Sequence, residues 1–341
     1  MKRFILRQPA DLGEALGILH EQGLNARPLA GGTDIVVGVM RDQLAGKGMP
    51  YPGELVDLTT VPSLAGVRVD DGGCAIGATT TLVDIVEHAD LARFWPMLVE
   101  AAAAVATPEI RSIATLGGNI HQRPRCWFFR NKDFDCIKKG GEVCYAVKGD
   151  NRYNAIVGGH LCYIVHPSDL AVALLALGAN ARVASKDAER VVAFDGYFVS
   201  PRENLQAETV LRPDEILTEV RVPYAPPGTF HAFEKFNDKG LPTWDFAQVS
   251  VAVAAHVVDG VWQAGRIVLG GVAPVPYRAT VVEEALDGKD VDGALVEACA
   301  AFRTVTRPMS HNDYKVDLAV VVLERAIRKA LERPSTPTGE P

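Results

Sequence analysis

The 341-residue chain lacks several familiar signatures, and each absence removes a class of function. No apolar run approaches the roughly 20 residues of a membrane-spanning helix, so membrane insertion is not expected. The opening MKRFILRQP has the positive start of a signal peptide, but its apolar stretch ends at Arg7, far short of an h-region. A soluble chain without an export signal of its own is predicted. Neither G-x-G-x-x-G nor the P-loop occurs, so the usual dinucleotide and nucleoside-triphosphate fingerprints are missing. There is no excess of basic residues: the net charge of −7 argues against nucleic acid as a partner. His121, His160, His166 and His231 are scattered, and no Ser/His/Asp constellation accompanies them. No C-x2–4-C knuckle and no C-x4-C-x2-C run is present.

What is present is ample hydrophobic material. At 48 % hydrophobic residues the chain can bury sizeable cores, and its length suits about two domains. Asp11 and Glu14 resemble a capping box ahead of Leu12, Ala15, Leu16 and Leu19 at helical spacing, with Gly23 as the stop. ARPLAGGTDIVVGV reads as a strand, a Gly-Gly turn and an apolar segment. GELVDL and CAIGATTTL read as strands, TLVDIVEHADLA as one helix capped by Thr81 and Asp84, and MLVEAAAAVA as another helix. TLGGNI reads as a second strand-to-turn unit. HPSDLAVALLALGANARVA is a capped helix, a glycine stop and a strand, and PDEILTEVRVP is a further strand. The YAPPG punctuation at 224–228 suggests a boundary. Beyond it, SVAVAAHVV and VWQAGRIVLGG flank Asp259-Gly260, the chemistry of a tight hairpin. Helices are expected near 290–303 and 316–332. The tail 333–341 has the composition of a disordered segment.

The two Gly-Gly turns, Gly31-Gly32 before Thr33-Asp34 and Gly117-Gly118 before Asn119, allow a phosphate to come close to backbone N–H groups. Thr33 and Asn119 can add side-chain donors. Each turn alone is as readily structural. Asp169 sits in the first turn of a predicted helix, where the dipole favours a carboxylate in any case.

In order and wording these segments resemble the flavin-binding subunit of the molybdenum hydroxylase family, over residues 3 to 332. PLAGGTDI (28–35) is similar to that family's first FAD loop and TLGGN (115–119) to its second. Ser168-Asp169, the DEIL of 214–217 and the FEKF of 233–236 match later flavin-contacting stretches. The resemblance implies an α+β fold: a two-part FAD-binding domain of the vanillyl-alcohol-oxidase type, then a smaller α+β C-terminal domain. The expected bounds are 1–60, 61–225 with an insert near 121–162, and 226–332. It implies FAD contacts at Pro28, Leu29, Ala30, Gly31, Gly32, Thr33, Asp34 and Ile35. Thr115, Leu116, Gly117, Gly118 and Asn119 form the second set, joined by Asp169, Leu217 and Lys235. Val105 stands where some members carry an aromatic beside the flavin, so its role is open.

Four of the six cysteines, Cys126, Cys136, Cys144 and Cys162, gather in one segment, while Cys74 and Cys299 lie in a predicted strand and helix. Incidental core cysteines are a poor account of such clustering. Zinc is a second reading, but intervals of ten, eight and eighteen contain no knuckle. An iron–sulfur cluster is a third, and spacing does not decide between them. The resemblance favours the third: a branch containing aromatic-aldehyde oxidoreductases carries an insert here with four cysteines and a [4Fe–4S] cluster. Between His121 and Tyr153 eight cations face four carboxylates, suited to an anionic cluster or to a solvated basic loop. Trp127, Phe128, Phe129 and Tyr145 are candidates to shield it.

No segment resembles a molybdenum domain or a two-iron domain. The resemblance therefore implies partners: a large subunit with the molybdenum cofactor and a small subunit with two [2Fe–2S] clusters. This chain would take their electrons on FAD and hand them to an external acceptor, most plainly in aldehyde oxidation. Reverse flow in aryl-CoA reduction is the enzymatic alternative, and a zinc-stapled scaffold the non-redox one. The compartment is cytoplasmic, or periplasmic by co-export with a partner that carries a signal.

Overall fold

The computed structural model describes residues 1–41, 44, 50–240 and 244–335. The chain opens with β1 (Ile5–Arg7), α1 (Leu12–Gln22), β2 (Ala26–Leu29) and β3 (Glu54–Asp57), the strands forming a parallel sheet in the order β1-β3-β2. Asp11 caps α1 by accepting from the Glu14 N–H at 2.9 Å, as expected. The Glu14 carboxylate reaches the N–H of Ala10 rather than that of the cap itself. Ala15, Leu16 and Leu19 bury one stripe of α1 against Ala26, Val56 and Leu58.

A second layer follows: β4 (Val67–Asp70), β5 (Gly73–Gly77), α2 (Leu82–Glu87), α3 (Ala89–Phe94), α4 (Pro96–Ala103), α5 (Pro108–Arg111) and α6 (Leu116–Ile120). Then come α7 (Asp169–Ala176), β6 (Asn180–Ala184), β7 (Glu189–Ala193) and β8 (Ile216–Val222). The strands make an antiparallel sheet in the order β4-β5-β8-β6-β7. Two expectations are corrected here. TLVDIVEHADLA is two helices, because His88 takes an extended backbone (φ −77°, ψ 117°) between α2 and α3. TLGGNI is not a strand and turn but the short helix α6, capped by Thr115. All eight residues of α7 are buried, and α4 and α7 pack over Ile76, Val183 and Val220 to make the main core.

The C-terminal part comprises β9 (Thr229–Phe236), β10 (Val249–Val258), β11 (Val261–Gly270), β12 (Tyr277–Arg278), α8 (Thr280–Leu286), α9 (Val291–Ala301) and α10 (Tyr314–Leu331). Its antiparallel sheet runs β12-β11-β10-β9. The predicted hairpin joins β10 and β11 through Asp259 and Gly260, both at positive φ (51° and 80°). Trp262, Leu295, Phe302 and Leu323 belong to its core. Of the tail expected to be disordered, 336–341 lie outside the described residues.

Residues 121–168 contain only two short 3-10 turns, Ile137–Lys139 and Tyr145–Val147, and are held by distant partners. Asn151 donates to the Ala146 carbonyl and to Ser310 Oγ. Asn312 and the fully buried Lys315 donate to the Asn154 carbonyl at 3.0 and 3.1 Å.

Candidate cofactor site

The two glycine pairs, one in a turn and one in α6, lie at least 85 residues apart in sequence and meet in space. Gly31 lies so close to the backbone before the second turn that a Cβ would overlap the Ile113 carbonyl oxygen. Gly32 adopts φ +71°, a left-handed backbone that glycine takes without strain. Between the turns lies a cleft of about 500 Å³, walled by Pro28, Ala30, Gly31 to Ile35, Thr115 and Gly118. It continues into a second lobe of about 240 Å³ that shares Pro28, Ala30 and Gly118 and adds Leu29, Gly117 and Leu217.

The turns are not equivalent. The N–H groups of Gly31, Gly32, Thr33 and Asp34 have no hydrogen-bond partner among the described residues. Those of the second turn are engaged: Leu116 to Thr80 O, Gly117 to Ala78 O, Gly118 to Thr115 Oγ1 and Asn119 to Thr115 O. The first turn therefore offers donors to an anion, while the second offers close approach. Asp34 lines the cleft, and its side chain has a further role. Its carboxylate accepts from the Arg123 N–H (2.7 Å), Arg125 (2.9 Å) and Arg130 (2.6 Å), fastening the first turn to the cysteine segment.

Arg27, which sequence reading passed over, lines both lobes of the cleft and forms no ion pair among the described residues. Burial, then the nearby Arg123 charge, lower its pKa, so an anion placed there gains a cation that is already desolvated. The signal was its place just before Pro28 in the first loop. His121 also lines the cleft, but its Nδ1 bonds the Gly117 carbonyl (2.8 Å) and its Nε2 the Tyr197 hydroxyl (2.7 Å). A carbonyl only accepts, so Nδ1 carries the proton and the ring braces α6.

Other expected residues cluster beside the cleft rather than in it. Lys235 on β9 pairs with Asp169 at 2.7 Å, both nearly fully buried, and also donates to the Ala104 carbonyl (2.9 Å), one residue from Val105. Asn119 Oδ1 accepts from Ser168 Oγ at 2.5 Å, joining α6 to the start of α7. Leu116, Asn119, Val105 and Lys235 line neither lobe, and Asp169 faces a separate cavity on the far side of that Asn119–Ser168 contact.

Cys126, Cys136, Cys144 and Cys162 all line one narrow cavity, closed by Phe128, Phe129 and Tyr145. None is in a disulfide. Burial pushes the Cys126 and Cys136 thiols up and the Cys162 thiol to about 12. Among the described residues no three Cys, His, Asp or Glu side chains are arranged to hold a metal ion. The space at the centre, about 10 Å³, admits about one water. Trp127, expected among the shielding aromatics, stands outside and is 57 % exposed. The picture of a solvated basic loop fails for Lys138 and Lys139, both buried. Lys138 pairs with Glu208 at 2.7 Å, and Lys139 donates to the Asn131 carbonyl. Cys74 and Cys299 are buried in β5 and α9 and do not line that cavity.

A mixed helix-and-sheet chain thus holds a glycine-walled cleft whose free N–H groups and Arg27, without an ion pair among the described residues, suit an anionic ligand. Residues 2–225 match the model for the FAD binding domain in molybdopterin dehydrogenase, and 231–330 that for the CO dehydrogenase flavoprotein C-terminal domain. The chain belongs to the FAD-binding subunits of the molybdenum hydroxylase family. It is 32 % identical to the aldehyde oxidoreductase FAD-binding subunit PaoB of Escherichia coli over 314 residues, 91 % of this chain and 95 % of the relative. To the carbon monoxide dehydrogenase medium chain of Afipia carboxidovorans it is 28 % identical over 335 residues, 97 % of each. Among solved structures, Cu,Mo-CO dehydrogenase superposes with a TM-score of 0.76 at 27 % identity, covering 98 % of this chain and 99 % of that one. These relatives are oxidoreductase subunits. No helix of the described residues is long and apolar enough to cross a membrane.

Proposed function

We propose that this chain holds one FAD in the cleft between the glycine turns, takes electrons from [2Fe–2S] clusters on a small partner subunit and passes them to an external acceptor. A large partner with the molybdenum cofactor oxidises the organic substrate, an aldehyde. The carrying observation is the first turn: four backbone N–H groups without partners among the described residues, beside an arginine with no carboxylate partner among them. The similarity to PaoB supports the aldehyde reading. FAD supplies an exchange between one-electron iron–sulfur centres and two-electron acceptors.

The chain's own residues have distinct tasks. Gly31 to Asp34 present N–H groups and Arg27 a charge to the pyrophosphate, and Gly118 leaves room for it. Leu217 offers an apolar face in the inner lobe. Lys235, held by Asp169 beside the cleft, would supply a positive charge toward a bound flavin that gains electrons. Asp34 transmits the position of the first turn to the cysteine segment through three arginines. Bounds of 1–60, 61–225 and 226–332 separate the two parts of the flavin domain from the C-terminal part.

The four cysteines are assigned to one [4Fe–4S] cluster. A tetrahedral zinc with Zn–S near 2.3 Å would need its thiolates within about 4 Å of one another, and the usual C-x2–4-C knuckle for such a site is missing from the segment. A cubane spreads its thiolates farther apart. Four free thiols on one cavity, in a segment with little regular structure, match that donor set, though the cavity must widen to admit it. The compartment is cytoplasmic, or periplasmic by co-export with a signal-bearing partner. Reconstitution tests the whole: the chain with both partners should oxidise aldehyde with a dye as acceptor, and the chain alone should not. Aldehyde turnover by the isolated chain would overturn the division of labour.

A further inference from the structure

The separate cavity beside Asp169 has about 360 Å³ and opens between the start of α7, the C-terminal sheet and the cysteine segment. Its walls carry Trp127, Tyr153, Trp244 and Phe246, four aromatic rings from two distant segments. Trp127 and Trp244 are 57 % and 71 % exposed, which places large apolar surface in water at the mouth. On its floor is Ser250, fully buried, whose hydroxyl has no hydrogen-bond partner. Ser250 is the cross-strand neighbour of Lys235 on one side and of Gly270 on the other. The absence of a side chain at Gly270 leaves room for that hydroxyl. The floor therefore sets an orphan donor next to the Asp169–Lys235 pair; Ser168, also on the cavity wall, bonds Asn119 of α6, whose Gly118 walls the cleft.

We propose that this cavity is the acceptor site and that its ligand is an uncharged planar quinone. The inference rests on the FAD reading above. Flat aromatic walls suit a ring, and the unpartnered Ser250 hydroxyl suits a quinone carbonyl, since an unmet buried donor gains most from an acceptor. The charged lining suits a nicotinamide dinucleotide poorly. Asp169, Asp238 and Asp245 face the cavity against Arg125 and Lys239, and Arg125 is already paired with Asp34. In the reaction two electrons and two protons leave the reduced flavin, which becomes oxidised flavin, and quinone becomes hydroquinone.

The test uses the full-length chain and menadione. Of the four tryptophans, Trp95 and Trp262 are buried, so quenching by a cavity ligand reads on Trp127 and Trp244. Menadione should quench tryptophan emission saturably. Ala247→Phe, which fills the cavity, should abolish the saturable part, and Ser250→Ala should raise the dissociation constant about five- to tenfold, the loss of one hydrogen bond. NAD+ should not compete. Linear, unsaturable quenching, an unchanged constant in both variants, or displacement of menadione by NAD+ overturns the proposal. Flavin content is measured on the same samples. A chain that takes up no FAD when it is supplied, yet still binds menadione saturably, would sink the FAD reading while leaving the cavity assignment standing.

Discussion

Gly31→Ala probes how the cleft is built. The new Cβ would overlap the Ile113 carbonyl oxygen and lie 2.6 Å from its carbon and 3.1 Å from the Ala114 Cα. These are backbone atoms, so no rotamer change relieves the clash, and the two turns must part. Overpacking of this kind costs about 1–3 kcal/mol, and the backbone contact puts it at the upper end, about 3 kcal/mol. Since the same contact sets the width of the cleft, FAD affinity should fall at least about tenfold, or about 1.4 kcal/mol. Gly118→Ala is the contrast. Its Cβ meets only Thr115 Oγ1, at 3.0 Å, and otherwise faces open space on the cleft wall. Loss of that cap costs about 1 kcal/mol, but the methyl stands where the ligand must pass. Urea unfolding of flavin-free protein reads stability, because bound FAD would itself stabilise the fold. Flavin released per chain reads binding. Gly31→Ala should lose both stability and flavin, and Gly118→Ala mainly flavin. A Gly31→Ala protein with the parental midpoint and full flavin would refute the reasoning.

Changing Cys126, Cys136, Cys144 or Cys162 to Ser should lower iron from about four per chain after anaerobic purification. Ser at Cys74 or Cys299 should not, and full iron in Cys144→Ser would defeat the ligand assignment. Lys235→Met strands a buried carboxylate at Asp169 and should cost about 3–5 kcal/mol, with part regained in the double variant carrying Asp169→Asn. Equal additive losses in a double-mutant cycle would deny the pair its importance. His166 is buried and its pKa falls to about 4, first through desolvation. The unfolded chain takes up a proton there between about pH 6.5 and pH 4 and the folded one does not. Stability from this residue is therefore full above about pH 6.5 and declines toward pH 4, by at most about 3 kcal/mol. His166→Gln should flatten that part of the urea-midpoint profile, and an unchanged slope would contradict it.

Legibility followed the range of the interactions. Paired glycines announced the turns because Gly32 needs a left-handed backbone and Gly31 a bare backbone contact, demands that the sequence states openly. Asp259-Gly260 announced the hairpin for a like reason. The helix α6 stayed hidden because two glycines in five residues oppose helix propensity. It is held by distant carbonyls of Ala78 and Thr80, which no local pattern reveals. Clustering of cysteines was visible in the chain itself, but their expected convergence came from the family resemblance, since irregular segments carry no periodicity. The further role of Asp34 stayed hidden because its partners, Arg123 to Arg130, lie about ninety residues away. Sequence reading passed over Lys315, yet it is buried on three carbonyls, including Gly271 O at 2.5 Å.

The most direct measurement is the flavin stoichiometry of the purified chain, read from its visible spectrum before and after acid denaturation. The account predicts flavin absorption bands, and release of FAD approaching one per chain into the supernatant, because the cleft holds it without a covalent bond. A chain that is colourless when purified, and that takes up no FAD when it is supplied, would contradict the account.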